Sequence, residues 1–216
     1  MKYRSVYLHS ENARHLKKFV PRSEKTRLFI IEKTAILFNK QGVEGTTLTD
    51  LTEATKLTKG SVYGNFVNKE EVALEAFKYN FNQLGKRINS FVSKEKHSLD
   101  QLFALSKFYR NDFKMMSYLG GCPLLNTAVD TDDTNAVLKA QVIGAFEAVI
   151  GLIAEIIKNG QTKNELNTKV EAKKYATLFF ELLEGGVLLS KTTGKKEYLY
   201  EACDRIDKMI NDELKP

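Results

Sequence analysis

Tryptophan is missing from this 216-residue chain, and the chain contains only three prolines and two cysteines. Two cysteines are too few for a disulfide framework, so Cys122 and Cys203 are expected to be reduced thiols packed in helices. No run of about twenty apolar residues is present, and the N-terminus has no signal-peptide core. These absences argue against export and membrane insertion, and we expect a cytoplasmic protein.

Signals of catalysis are equally scarce. The three histidines, His9, His15 and His97, have no paired cysteine or second ligand near them, and the chain has no nucleophile motif, phosphate-cradling loop or metal-binding spacing. The stretch Asp132-Asp133-Thr134 could bind a hard cation, but acidic groups before a helix more often satisfy its positive end. We therefore expect no enzyme activity, no cofactor and no bound metal.

Positive charge is concentrated in the first third of the chain. Residues 1–69 contain 13 Lys and Arg against 6 Asp and Glu, a net charge of +7, whereas residues 70–216 contain 20 against 21, a net charge of −1. A charge excess by itself often marks only a solvated face. It also attracts polyanions and gives salt-dependent association, so it favours nucleic-acid binding if a suitable motif lies in the same region.

Two short helix signals, separated by a four-residue turn, lie in residues 46–71. Thr47 is suited to cap the first helix, with Asp50 in its first turn, and Thr58 is suited to cap the second. Asn68, followed three residues later by Glu71, predicts a further helix that begins at residue 69. This arrangement is typical of a helix-turn-helix, in which a short helix crosses a second one and reaches base edges in the major groove.

The second short helix has a polar outward face. Val62 and Phe66, four residues apart, form its inward side. Two glycines in so short a helix cost roughly 1 kcal/mol each relative to alanine, but they let the backbone approach another surface closely. The predicted outward residues are Lys59, Gly60, Ser61, Tyr63, Gly64 and Asn65.

From about Thr26 to Phe77, the segment resembles the N-terminal DNA-binding domain of TetR-type transcriptional repressors, without a gap. The resemblance implies that Thr47, Lys59, Ser61, Tyr63 and Lys69 touch phosphates or base edges, with Gly60 and Asn65 near the groove floor. It rests on Ile31, Ala35, Phe38, Gly42, Gly45, Thr46, Thr47, Leu51, Ala54, Lys59, Gly60, Ser61, Tyr63, Phe66 and Lys69.

The turn of the motif departs from the family pattern. The family usually has an Ala-Gly pair there, whereas this chain has Thr55 and Lys56. A lysine in the left-handed conformation would cost about 1 kcal/mol, and the alternative is a turn with a slightly different path. Leu57 still supplies an apolar anchor, so we expect DNA binding to survive.

The rest of the chain predicts an all-α fold. A flexible basic arm is expected over residues 1–22, a helix-turn-helix domain over 23–68 and a helical regulatory and dimerisation domain over 69–216. The first helix should span 23–41 and end at Gly42. Gly120-Gly121-Cys122-Pro123 is a clear break. Further helices are predicted at about 69–92, 99–119, 124–129, 135–159, 169–193 and 195–213.

Two of these helices, at 139–158 and 175–190, are apolar around most of their circumference, so each must be covered on both faces. Burial within one domain would achieve this. The family instead packs its last two long helices against those of a second copy, and a pair of DNA-binding heads suits a palindromic operator. The homodimer interpretation places Phe146, Ile150, Ile153, Phe180, Leu183, Gly186 and Val187 in the interface.

Aromatic and methionine residues between the linking helix and the second domain could bind a small apolar ligand. By analogy with the family, such a ligand would move the linking helix and change the separation of the two recognition helices. The alternative is that these side chains are ordinary core. The residues are Phe103, Phe108, Tyr109, Phe113, Met115, Met116 and Tyr118.

These observations predict a DNA-binding transcriptional regulator, a repressor released from a palindromic operator by a small, largely apolar effector. The alternative is an architectural protein that binds DNA without sequence preference. Such a protein would share the basic motif but would need neither a pocket nor a fixed spacing between its heads. The ratio of specific to random DNA affinity distinguishes the two classes.

Overall fold

The computed structural model describes residues 22–216 and contains no β-strand in that range, which confirms the all-α fold class. The predicted flexible arm lies outside the described residues, apart from Arg22. The helices are α1 Arg22–Gly45, α2 Leu48–Thr55, α3 Lys59–Tyr63, α4 Lys69–Val92, α5 Ser98–Tyr118, α6 Pro123–Thr131, α7 Ala136–Thr162, α8 Ala172–Thr193 and α9 Glu197–Met209, followed by a π-helical turn at Ile210–Leu214.

The helix starts follow the capping signals. Thr47 accepts the Asp50 N–H, Thr58 accepts the Ser61 N–H and Asn68 accepts the Glu71 N–H, each through its side-chain oxygen. These bonds satisfy N–H groups that have no partner within the helix. The linking helix is found at Lys69–Val92, as predicted.

Glycines with positive φ mark two changes of direction. Gly42 (φ 74°, ψ −179°) has a non-helical conformation and interrupts α1 where the helix was predicted to end. A short helical turn follows as far as Gly45, so the chain kinks at Gly42 instead of leaving the helix. Gly120 (φ 99°) and Gly121 (φ 95°) form the turn between α5 and α6. This conformation strains any residue that has a Cβ. Because α5 ends at Tyr118 and α6 begins at Pro123, the break predicted at 120–123 is confirmed.

The helices form two connected groups. Helix α1 packs mainly along α4 and also contacts α2, while α2 contacts α3. Helices α5 to α9 form a bundle, and α4 contacts both α5 and α6. Buried apolar side chains run continuously through both groups, from Ile30 and Leu51 to Phe179 and Leu214. The DNA-binding motif is therefore held on the same core as the bundle.

Helix α7 is long and apolar enough, by length and composition alone, to cross a membrane, with a mean hydropathy of 1.9 over its most apolar window. Only 28% of that window is buried within the protomer. Ile143 is 49% exposed and Leu152 is 51% exposed. The apolar surface of α7 therefore needs a cover that the single chain does not supply.

Several residues expected at a dimer interface are instead buried within the protomer. Ile153, Phe180, Leu183 and Val187 are all less than 9% exposed, and Phe146 and Ile150 pack partly buried against the same core. A Cβ on Gly186 would lie 2.9 Å from Ala202 Cβ. This corrects the sequence-based placement, because Gly186 allows α8 to approach α9 rather than a second copy.

Candidate nucleic-acid interface

Helix α2 is anchored at its start by a reciprocal pair of hydrogen bonds. The Thr47 hydroxyl accepts the Asp50 N–H at 3.2 Å, and the Asp50 carboxylate accepts the Thr47 N–H at 2.7 Å. Hydrogen bonds from the Thr47 side chain and then from its backbone lower the pKa of Asp50, so this carboxylate is charged at neutral pH. The Thr47 side chain, expected at the DNA, is exposed but already engaged in this capping box.

The turn between α2 and α3 follows the left-handed path. Lys56 has φ 57° and ψ 24°, so the chain accepts the strained conformation rather than a different turn. The cost is about 1 kcal/mol for a residue with a Cβ. Leu57 packs partly buried against the core, as the apolar anchor predicted for this turn. The crossing of α2 and α3 is therefore kept despite the lysine.

Helix α3 presents a polar face to solvent. Val62 is completely buried and fixes the inward side, while Lys59 and Gly60 are exposed and Tyr63 is 37% exposed. A Cβ on Gly60 would meet nothing within 4 Å, so no packing within the protein requires a glycine there. Ser61, in contrast, is only partly exposed. The face has room for a close approach by another molecule.

The amide of Asn65 turns back toward its own helix. Its side-chain Nδ2 donates to the Ser61 carbonyl oxygen at 2.8 Å, while the main-chain carbonyl oxygen of Asn65 accepts a hydrogen bond from Arg27. The side-chain donor is therefore used to close the end of α3. Asn65 was expected near the groove floor. It lies just after the carboxyl end of α3, and its side chain is hydrogen-bonded within the protein.

Arg27 of α1 joins the end of α3 to the start of α4, a role that the sequence did not reveal. Its guanidinium donates to the Asn65 carbonyl oxygen at 2.6 Å and to the Glu71 carboxylate at 2.7 Å, and it lies 4.1 Å from the centre of the Phe66 ring. Glu71 also accepts the Val67 N–H at 2.7 Å. The Val67 N–H first and Arg27 second lower the pKa of Glu71.

Lys69 begins α4 directly after this junction and is partly exposed, beside Val67, which is 87% exposed. The amino-terminal end of α4 also carries unpaired N–H groups and a positive dipole. Lys69 supplies a positive charge at this end of α4, whose first turn also contains Glu70 and Glu71. The arrangement thus combines a protruding polar helix with basic side chains on both sides of it.

The α5 residues predicted to line an apolar pocket differ widely in burial. Phe108 and Met116 are core residues, 0% and 2% exposed, and the Phe108 ring packs edge-on against Phe91 at 5.4 Å. Phe103 and Phe113 pack partly buried against the core, whereas Tyr118 is 67% exposed. Helix α5 thus places some of these side chains in the core and others at the surface, and a ligand site among them stays a prediction.

A buried carboxylate lies within the bundle. Glu184 of α8 is 9% exposed, and its Oε1 accepts a hydrogen bond from the Cys122 thiol at 3.1 Å. Burial raises the pKa of Glu184 to about 7, and it also raises the pKa of the Cys122 thiol well above its usual value. Both cysteines are buried and unpaired, and Cys203 lies in α9.

The described part of the chain contains no cluster of three or more His, Cys, Asp or Glu side chains that could hold a metal ion. His97 pairs with Glu165 at 3.0 Å near the start of α5, while His9 and His15 lie outside the described residues. Asp132 and Asp133 are exposed, and Asn135 rather than either aspartate caps α7, through a hydrogen bond from the Leu138 N–H.

Comparison with known proteins agrees with this architecture. Residues 98–206, half of the chain, match the tetracyclin repressor-like C-terminal domain, and residues 30–76 match the bacterial regulatory proteins of the tetR family. A TetR-family transcriptional regulator from Cytophaga hutchinsonii is 35% identical, with a TM-score of 0.82 over 90% of this chain and 97% of the other.

Two further relatives point the same way. A TetR transcriptional regulator from Chloroflexus aurantiacus is 30% identical, with a TM-score of 0.85 over 90% of this chain and 98% of the other. YxaF of Bacillus subtilis, an uncharacterized HTH-type transcriptional regulator, is 25% identical over 84% of this chain and 93% of its own length.

The fold and the protruding α3 thus define a helix-turn-helix transcriptional regulator. The chain belongs to the TetR family, whose members bind operator DNA as dimers. Nothing in these comparisons points to the alternative of a nonspecific architectural protein.

Proposed function

We propose that the protein represses transcription by inserting α3 of each protomer into successive major grooves of a palindromic operator, and that a small effector releases it. The observation that carries this proposal is the polar face of α3, where Lys59, Gly60 and Tyr63 are exposed and a Cβ on Gly60 would meet nothing within 4 Å. Two copies of this face match two half-sites about one helical turn apart.

The proposed contacts divide by chemistry. Lys59 and Lys69 are assigned to phosphates, because an ammonium group suits a point contact with the DNA backbone. Tyr63 and Ser61 are assigned to the groove, and Gly60 allows close approach to it. Thr47 is assigned to a phosphate at the start of α2, and Asn65 is assigned to the edge of the contact surface.

We assign the dimer interface to the exposed apolar side of α7 and α8. Ile143 and Leu152 of α7 and Leu178 and Leu189 of α8 are each at least 38% exposed. Gly185 is exposed as well, and a Cβ on it would meet nothing within 4 Å. A cover supplied by the same surface of a second copy would bury these side chains and account for the apolar α7.

We divide the chain functionally at residue 69, into a DNA-binding part over 23–68 and a regulatory and dimerisation part over 69–216. A regulator of this kind acts in the cytoplasm, where the DNA is, and needs neither catalysis nor a cofactor. The effector is taken to be a small molecule with a substantial apolar part.

The operator proposal is tested by selecting bound sequences from random DNA with the full-length protein, and then measuring affinity for the selected site. We expect a two-fold symmetric motif. Tyr63→Ala should lower operator affinity by about tenfold, since a good base contact contributes roughly 1–3 kcal/mol, while helical content stays unchanged. Unselective binding to all duplexes would reject the proposal in favour of an architectural role.

Lys69→Ala serves as the contrasting variant in the same titrations. A lost phosphate contact should weaken binding about equally on all sequences and reduce the slope of log affinity against log salt by about one unit. Lys173→Ala, at an exposed position on α8, is the matched control and should leave the slope unchanged. An unchanged slope for Lys69→Ala would make Lys69 a structural residue.

The interface proposal is tested by Leu152→Glu. A carboxylate placed in the middle of a buried apolar contact should shift the protein from dimer to monomer in sedimentation measurements, because unpaired buried charges are costly. The protomer fold should survive, since Leu152 is half exposed. Glu155→Gln, an exposed change on the same helix, is the control, and a dimer that persists in Leu152→Glu would move the interface elsewhere.

A further inference from the structure

A cleft of about 410 Å³ separates the end of α1 from α4, α6 and α8. Its volume lies in the range of roughly 300–1,000 Å³ typical of small-molecule sites. The apolar part of its wall comes from both halves of the chain, with Phe38 of α1, Phe77 of α4, Leu125 of α6 and Leu138 of α7. The cleft therefore lies between the DNA-binding helices and the bundle, away from the aromatic residues of α5.

Two lysines from opposite sides of the junction line this cleft, Lys40 of α1 and Lys191 of α8. Both lie against the turn between α5 and α6. A Cβ on Gly120 would lie 2.8 Å from Lys40 Cγ, and a Cβ on Gly121 would lie 2.7 Å from Lys191 Cδ. Since real Cβ atoms do not approach so closely, a side chain at either glycine would displace a lysine. The absence of side chains at Gly120 and Gly121 thus leaves room for both lysines to pack against the turn at the cleft.

Neither ammonium group has a carboxylate within the 4.0 Å of an ion pair among residues 22–216. Lys40 lies over the Tyr118 ring, with Nζ 5.3 Å from its centre, and Lys191 Nζ donates to Asn126 Oδ1 at 3.4 Å. Burial lowers the pKa of Lys191, and the charge of Lys40 lowers it further. A negative charge nearby would stabilise the charged ammonium group of Lys191 and so offset both effects.

Among the described residues, the carboxylate of Asp130 also lines the cleft, but it forms no ion pair with either lysine. Asp130 accepts the Val43 N–H at 2.7 Å, beside the kink at Gly42. The lining thus contains two cations without an anionic partner, one engaged carboxylate and an apolar wall. A ligand that satisfies all of these needs one anionic group and one apolar part.

We propose that this cleft binds a small amphipathic anion, with its carboxylate or phosphate group between Lys40 and Lys191 and its apolar part against Phe38, Phe77 and Leu125. Asn80 and Asn126 also line the cleft, but their Nδ2 groups already donate to main-chain carbonyl oxygens of α1, so the lysines supply the contacts to the anion. An inorganic anion would leave the apolar wall uncovered, and a neutral apolar molecule would leave the lysines without a counter-charge.

Such a ligand would link the two parts of the molecule. Asn39 Nδ2 of α1 donates to the Leu119 carbonyl oxygen at 2.7 Å, and Asn126 Nδ2 of α6 donates to the Asn39 carbonyl oxygen at 2.9 Å. An anion held by Lys40 and Lys191 would bind directly beside this connection between α1 and the bundle. The identification of this anion as the effector rests on the proposed function, whereas the existence of the site does not.

Calorimetric titration of the full-length protein tests the site. The probes are octanoate and octyl phosphate, with octanol as the neutral match and butanoate as the short match. We expect both octyl anions to bind, octanol to bind at least about tenfold more weakly, since a hydrogen bond to a charged group contributes roughly a tenfold factor, and butanoate to bind more weakly by about fourfold per buried methylene removed. Equal binding of octanol and octanoate, or no binding of either anion, would overturn the proposal.

Lys40→Met and Lys191→Met remove the charges but keep unbranched side chains against the glycine turn. Each should weaken octanoate binding by about tenfold and leave octanol binding unchanged. Lys173→Met, at an exposed position elsewhere on α8, is the control and should bind octanoate like the natural protein. Thermal unfolding of each variant verifies the fold. Unchanged octanoate affinity in both cleft variants, with the fold intact, would refute the assigned site.

Operator binding with and without octanoate is measured separately. If octanoate binds through the two lysines but operator affinity does not change, the site stands and its assignment as the effector site fails. If no selective operator is found at all, the proposed function fails, while the calorimetric result still decides the site.

Discussion

Helices α3 and α8 both contain glycine, but they are held in opposite ways. Helix α3 has five residues, of which Val62 is the one fully buried, and its ends are fixed by Thr58 and by the bonds of Arg27 and Asn65. Helix α8 has 22 residues and is held by packing along much of its length. Helix α3 is therefore held in place mainly by hydrogen bonds at its ends, whereas α8 is held mainly by close packing of its buried side chains.

The two glycines make the same contrast at single positions. Around Gly60 there is open space, so packing within the protein does not require a glycine at this position. Around Gly186, Ala202 and Leu199 are too close for a Cβ. In the sequence both glycines indicate close approach, but only the packing around them reveals whether the partner is internal or external.

The largest expected effect concerns the buried carboxylate of α8. The pKa of Glu184 is about 7 in the folded protein, above its ordinary value of 4.5. The folded state thus binds the proton more tightly than the unfolded state, and stability falls as pH rises from 4.5 through 7. The loss amounts to up to about 3 kcal/mol above that window.

Glu184→Gln should remove most of this loss, so that the free energy of unfolding in denaturant changes little between pH 5 and pH 8. At pH 8 the variant should be more stable than the natural protein by up to about 3 kcal/mol. Glu181→Gln, at an exposed position on the same helix, is the control. Identical pH profiles for the two variants would show that Glu184 does not carry a buried charge.

A smaller effect is expected from adding one methyl group to each of the contrasted glycines. Gly186→Ala should lower the free energy of unfolding by about 1–3 kcal/mol, because α9 has to move away from α8. Gly60→Ala should raise it slightly, by at most about 1 kcal/mol, through better helix propensity. Denaturant unfolding of both variants measures this part of the comparison.

Operator affinity should show the reverse order. Gly60→Ala places a methyl group on the surface that we propose faces the groove, so it should weaken operator binding although the protein is no less stable. Gly186→Ala should leave the affinity of the folded protein nearly unchanged. A loss of affinity in Gly186→Ala alone would mean that α3 and α8 are coupled more tightly than their separate supports indicate.

The smallest effect on stability is expected from Arg27→Met. The ion pair with Glu71 is partly exposed, so its loss should cost about 1 kcal/mol or less. The loss of binding free energy for the operator should exceed the loss of unfolding free energy, because Arg27 holds the end of α3 against the start of α4. Lys25→Met, at an exposed position on α1, is the control for lost charge. If both variants bind the operator equally well, Arg27 contributes charge rather than position.

The caps at Thr47, Thr58 and Asn68 could be predicted because each depends on atoms within three residues. The start of α4 at Lys69 could be predicted for the same reason. The contact of Arg27 with Asn65 spans 38 residues, and no local pattern indicates it. For the bundle, the apolar residues of α7 and α8 surround most of each helix, so periodicity could not separate the side that faces the core from the side that faces a partner.

The sequence alone determined the helices, the helix-turn-helix and its basic surroundings, since propensity, capping and charge act over short distances along the chain. Tertiary packing was needed to place Gly186 against α9, Phe108 in the core, and Lys40 and Lys191 against the Gly120-Gly121 turn. These outcomes depend on how helices distant in sequence approach one another, and close packing of whole side chains sets that approach.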